Sequence, residues 1–211
     1  MAPIERSTAR RARSARVRGA QRDIVETKAW LDAYFARYTS AAFTEAVYPS
    51  LIAFRDLALT TRATGKKMMF AGNGASASIA AHGRVDFTKQ AKVRSIDFNE
   101  PNLITAFSND LGFEHFMARA VEAFADDGDV LVVLSVSGES QNCVNAAAYA
   151  RERGLKVVTF TGKRADNPLR ALGDIDFWID SFAYNVVECT HMIWMCAVID
   201  MVIGKAEYPV K

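Results

Sequence analysis

The 211-residue chain is half hydrophobic, 24% charged and formally +2 at neutral pH, which supports a buried core and excludes global disorder. Residues 1–22 hold seven arginines against one acid, Glu5, a net +6, so the rest of the chain sums to −4. A body of that sign offers no basic face for nucleic acid, and any weak contact with nucleic acid or acidic membrane falls to the tail.

Residues 1–22 read as a flexible Arg-rich tail without the apolar core of a secretory signal. From about Ile24 to Val47, the residues Trp30, Leu31, Tyr34, Phe35 and Tyr38 recur at spacings of three and four, an apolar stripe on a helix. Pro49 opens a second helix, Ser50–Thr61, with Leu51, Phe54, Leu57 and Ala58 as its buried face. Two helices ahead of any strand cannot bury themselves alone, so this pair, residues 23–64, must pack on the later domain or on another chain.

After Gly65 the pattern becomes α/β. KKMMFAGNGASAS predicts a strand, a glycine loop and a helix over Ser76–Lys89, and VRSIDF a second strand, Val93–Phe98. A helix near Phe113–Phe124 follows. GDVLVVLSVSGESQN then repeats strand, loop and helix (Val130–Leu134, then Gln141–Arg153), and further strands fall at Lys156–Thr161 and Asp176–Asp180. The last helix spans Val186–Ile203. Uninterrupted apolar strands alternating with helices indicate a parallel sheet covered on both faces, one domain over 65–211. Three cysteines without paired spacing fit a reducing compartment, the cytoplasm, and no run of about eighteen uncharged apolar residues predicts a membrane span.

Ligands of such sheets bind beyond the carboxyl ends of the strands, where both polar loops lie. Asn73, Gly74 and Ser76 in one, and Ser135, Ser137 and Ser140 in the other, supply hydroxyls, an amide and permissive backbone for a phosphate, although either loop alone also reads as ordinary caps and turns. No nucleotide cofactor is expected: GNGASA lacks the third glycine of a dinucleotide fingerprint, and no G-K-[ST] follows. His82 and Asp86, four apart on one helix face, suit two metal ligands, an imidazole with its carboxylate, or a surface hydrogen bond. In the last helix Glu188 and His191 are spaced to pair, and Cys196 reads as a small buried hydrophobe or a ligand. Asn109 and Asp110 read as a helix cap or a hydroxyl-binding element.

The stretches AGNGASASIAAH, FSNDLGFEHFMARAVEAF, GDVLVVLSVSGESQN and GLKVVTFTG, with the acid-plus-histidine start of the last helix, resemble in this order the sugar isomerase (SIS) family, specifically its phosphoheptose isomerase branch. The resemblance covers most of residues 25–205. It implies a three-layer sandwich around a five-stranded parallel sheet, a homotetramer with sites between subunits, and aldose–ketose isomerisation of sedoheptulose 7-phosphate or a related sugar phosphate. It places the phosphate on Ser76, Ser135, Ser137 and Ser140, sugar hydroxyls on Asn73 and Asp110, and catalysis on Asp86, Glu188 and Cys196. A zinc ion would fall to His82, Asp86, Glu188 and Cys196. Three of these depart from the family: its glutamate is Asp86, its glutamine Glu188 and its second histidine Cys196. Its GNGGSA is here GNGASA. These departures also admit a catalytically inactive sugar-phosphate sensor or a protein-binding adaptor.

Overall fold

The computed structural model describes residues 4–209, with side chains from residue 23 onward, so the arginine side chains of the tail lie outside the described residues. Helix α1 runs Ile4–Ala42, and the chain divides into a unit of residues 1–40 and a body of residues 41–211.

The helix predicted to continue to Val47 breaks at Phe43. There Thr44 turns extended (φ −113°, ψ 138°) and its hydroxyl accepts from the Ala46 amide, capping a single 3₁₀ turn over Glu45–Val47. Helix α2, Tyr48–Ala63, follows with Pro49 in its first turn. The body then alternates: β1 Lys67–Gly72, α3 Ala75–Lys89, β2 Arg94–Asp97, α4 Pro101–Leu111, α5 Phe116–Phe124, β3 Val130–Ser135, α6 Gln141–Glu152, β4 Lys156–Gly162, β5 Ile175–Ile179 and α7 Tyr184–Ile203. Helix α4 is an element the sequence pattern did not single out, and it carries Asn109 and Asp110, read as a helix cap or a hydroxyl-binding element, within its last turn. Glu100 caps it by accepting from the Leu103 amide at 2.7 Å, Pro101 enters its first turn and Gly112 ends it at φ 89°.

All neighbouring strands are parallel, in the order β2-β1-β3-β4-β5. β1 and β3 are buried along their whole length, as a sheet covered on both faces requires. On one face Phe54, Phe70, Phe87, Phe160 and Phe177 form an aromatic cluster, with Phe160 and Phe177 stacked at 4.3 Å. On the other, Met69, Ala71, Leu131 and Val133 meet Phe116, Met117 and the alanines of α6.

Among the described residues α7 alone has the length and apolarity of a membrane span, with mean hydropathy 1.7. Its packing shows a core helix instead: Val187, Met195 and Val198 are fully buried, and the Trp194 indole donates to the Ala42 carbonyl at 2.9 Å.

Candidate functional site

The strand order reverses direction at β1, whose neighbours are β2 and β3, so the crevice between the carboxyl ends of β1 and β3 is the topological switch point. Both polar loops open there. After β1, Gly74 takes φ 55° and starts α3, and a Cβ on Gly72 would lie 2.8 Å from the Ser76 backbone. After β3 the serines fold the turn on themselves. Ser135 Oγ donates to Ser140 Oγ at 3.3 Å and accepts from the Gly138 amide, and Ser137 Oγ accepts from the Glu139 amide, both at 3.2 Å.

The loops meet in a cavity of about 140 Å³ lined by Asn73, Ser76, Leu134, Ser135, Val136, Ser137, Ser140, Tyr184 and Glu188. Five of the polar residues singled out as phosphate or sugar ligands, together with Glu188, therefore share one concave surface. Gly74 shapes the turn beside it. Asp110 stands apart, exposed near the end of α4, where it accepts from Asn109 at 2.7 Å.

Three residues at the cavity escaped the sequence reading. Asn142, buried in the first turn of α6, exchanges a reciprocal pair of 2.9 Å amide hydrogen bonds with Asn73 and so locks one loop to the other. Asn167 sits under the serine turn, where a Cβ on Gly138 would fall 1.9 Å from its amide oxygen; the Leu169 amide also donates to the Gly138 carbonyl at 3.1 Å. Tyr184 opens α7 at the cavity wall. Asn142 itself closes the GDVLVVLSVSGESQN stretch, which was the one local signal available.

A second cluster forms on α3 and α7. His82 Nε2 lies 3.3 Å from Asp86 Oδ2 and 3.9 Å from Cys196 Sγ. Burial first, then the charges of Asp86 and Asp200, push the Cys196 thiol up from its ordinary value, so at neutral pH it is a thiol and not a thiolate. Asp200 is raised as well, by burial and by Asp86, and hydrogen-bonds Tyr208. Both contacts on His82 use the same ring nitrogen, which rules out an imidazole relay between carboxylate and thiol in this arrangement.

Glu188 is not in this cluster; it lines the serine cavity, and burial raises its carboxyl. Nor does it pair with His191, as their spacing suggested. The His191 ring points inward, 3.1 Å from the Thr161 carbonyl, because the buried β4 end offers an acceptor that the helix surface does not. Among the described residues no group of three or more His, Cys, Asp or Glu side chains is arranged to hold a metal ion. Of the four residues expected to hold zinc, His82, Asp86 and Cys196 gather and Glu188 stands apart within one chain.

The fold and these loops define a parallel α/β protein with a small polar cavity at its switch point. The SIS domain profile matches residues 34–162, more than half of the chain. The chain belongs to the SIS domain family and is closely related to its phosphoheptose isomerases. A phosphoheptose isomerase of Geobacter sulfurreducens is 32% identical over 158 residues, 72% of this chain and 83% of the relative. Among solved structures, a phosphoheptose isomerase from Neisseria gonorrhoeae superimposes with a TM-score of 0.74 at 27% identity, covering 83% of this chain and 99% of that one. One from Francisella tularensis reaches 0.77 at 22% identity over 86% and 98%, a likeness of fold.

Proposed function

We propose that the protein binds a sugar phosphate by its phosphate end at the β1/β3 crevice and interconverts its aldose and ketose forms, with sedoheptulose 7-phosphate as the leading substrate. The observation that carries this is the convergence of Asn73, Ser76, Ser135, Ser137 and Ser140 on one cavity. At about 140 Å³ the cavity is well below the roughly 300 Å³ at which small-molecule pockets begin. It holds the phosphoryl end and leaves the carbonyl end outside. For the reaction itself, Asp86 is the base that carries a proton between adjacent carbons, with His82 at 3.3 Å to orient it. The Cys196 thiol, kept protonated by burial and then by its acidic neighbours, stands where it donates rather than accepts. The homotetramer expected from the resemblance belongs to the same proposal, as does a zinc ion completed by Glu188 of a second copy.

A second reading has its own observation. The Cys196 thiol, protonated where the family carries a histidine able to accept a proton, suits binding better than turnover. It describes a sugar-phosphate sensor or adaptor. Incubation with sedoheptulose 7-phosphate, with and without added zinc, followed by product analysis and calorimetry separates the two. We expect saturable binding and slow formation of the aldose. Binding without product leaves the sensor, and no binding at all overturns both enzyme and sensor and leaves the adaptor, which stable co-purification with a protein tests.

A further inference from the structure

A phosphate monoester is a dianion at neutral pH, yet no residue lining the serine cavity is cationic and one, Glu188, is an acid. Neutral hydroxyls and amides position such a group, but the strong contacts to it are charge-assisted. The N-termini of α3 and α6 add partial positive charge, and any full cation comes from just outside the wall. Two are at hand beyond the end of β4. The Arg164 guanidinium is already held by both oxygens of Asp166, at 3.0 and 2.9 Å. Lys163 is not held by any carboxylate among the described residues. Its ammonium donates to the Tyr184 hydroxyl at 2.9 Å and lies 4.1 Å from the centre of that ring, which is itself part of the cavity wall.

The backbone supplies an independent observation. Lys163 has φ 55°, one of two non-glycine residues in the left-handed region among those described. The other, Lys92, closes α3: the Ala91 and Val93 amides bond back to Asp86 and Phe87, a turn that calls for left-handed backbone locally. No helix ends at Lys163. Its amide instead donates to Ser181 at 3.0 Å, while Gly162 before it donates to the cavity residue Val136. Strain of this kind, held by the surrounding structure at a ligand clamp, aims a side chain.

We propose that Lys163 is the cationic arm of the phosphate site: it rests on the Tyr184 phenol and moves onto the phosphate monoester dianion held by the serine loops. The proposal rests on the sugar-phosphate reading above and deepens it. A neutral phenol is a partner that a dianion displaces readily, which a carboxylate such as that of Asp166 is not.

The test is calorimetric titration of the full-length protein with sedoheptulose 7-phosphate and with inorganic phosphate, each at two ionic strengths. Wild type is compared with Lys163→Met, Lys163→Arg and Lys163→Gly. Losing one charge-assisted contact should weaken both ligands about tenfold or more in Lys163→Met and flatten the salt dependence. Lys163→Arg should stay near wild type. Lys163→Gly should bind as poorly as Lys163→Met while its Tm rises, because glycine relieves the left-handed backbone; this variant also separates lost binding from lost folding. Unchanged affinity in Lys163→Met overturns the role of Lys163 and leaves the sugar-phosphate reading standing. Phosphate binding that depends on Lys163, without binding of the sugar phosphate, supports the arm and overturns the substrate. A wild type that binds neither overturns both.

Discussion

His191 is fully buried between Phe160 and Trp194, with one ring nitrogen on the Thr161 carbonyl and the other, Nδ1, without a partner among the described residues. Burial lowers its pKa from 6.5 to about 4. The sign follows from proton counting. Between about 6.5 and 4 the unfolded chain binds a proton that the folded one does not, so stability falls as pH falls through that window and levels off below it. The loss amounts to roughly 3 kcal/mol at about 1.4 kcal/mol per pH unit. Urea unfolding of wild type from pH 7.5 to 4 should show this limb, and His191→Gln, which keeps a donor but does not titrate, should flatten it. An unaltered slope in the variant would assign the acid limb to other groups. This residue also marks what the sequence could convey. Glycine, serine and asparagine at strand ends were enough to pick out the two loops that meet in the cavity, since their chemistry and their place in the chain coincide. The inward turn of His191, and the lock between Asn73 and Asn142, depend on which strand end lies opposite, a relation no local pattern carries.

At the scale of elements, the serine turn after β3 is set against the segment that follows β4. Gly138 has φ 67°, and its missing Cβ leaves the space that Asn167 occupies; the Asn167 oxygen in turn accepts from the Arg170 amide at 2.9 Å. Gly154, after α6, has a similar φ of 75° and open space around it. The two glycines separate conformation from contact. Gly154→Ala should cost only the left-handed penalty, about 1–2 kcal/mol. Gly138→Ala adds a collision with a buried side chain and should cost about 2 kcal/mol more, with loss of phosphate binding. Equal losses in thermal unfolding would show that Asn167 yields and that the turn is not fixed by it. The strands and most helices were legible because apolar runs, glycines and prolines mark them. Helix α4 carried readable signals too, an acid before proline, Leu103, Ile104 and Phe107 on one face, and Gly112 after it. The polar pair Asn109–Asp110, read as a cap or a hydroxyl-binding element, lies inside the last turn instead, and the caps fall to Glu100 and Gly112.

For the whole molecule the difficulty is distance. The serine cavity includes Glu188, whereas His82, Asp86 and Cys196 gather farther along α3 and α7. Ten residues of helix separate Ser76 from Asp86, about 15 Å, and eight separate Glu188 from Cys196, about 12 Å. Meanwhile α1 exposes Trp30 at 62% and Phe35 at 60%, large apolar side chains with no burial of their own. Self-association answers both needs if the cavity of one chain faces the His82–Asp86–Cys196 cluster of another. The consequence is subunit complementation. Asp86→Asn removes the base and Ser137→Ala with Ser140→Ala removes the cradle, so each variant alone should be inactive on sedoheptulose 7-phosphate. Refolded or co-expressed together, they form interfaces in which an intact cradle meets an intact base, about a quarter of all sites in a random mixture. Turnover should recover toward that fraction, and light scattering should report an assembly of several chains. Replacing Trp30 and Phe35 by glutamate should dissociate the assembly and abolish the recovery. If the mixture stays inactive while the assembly persists, each chain completes its own site, and the two clusters act on one substrate from within a single subunit.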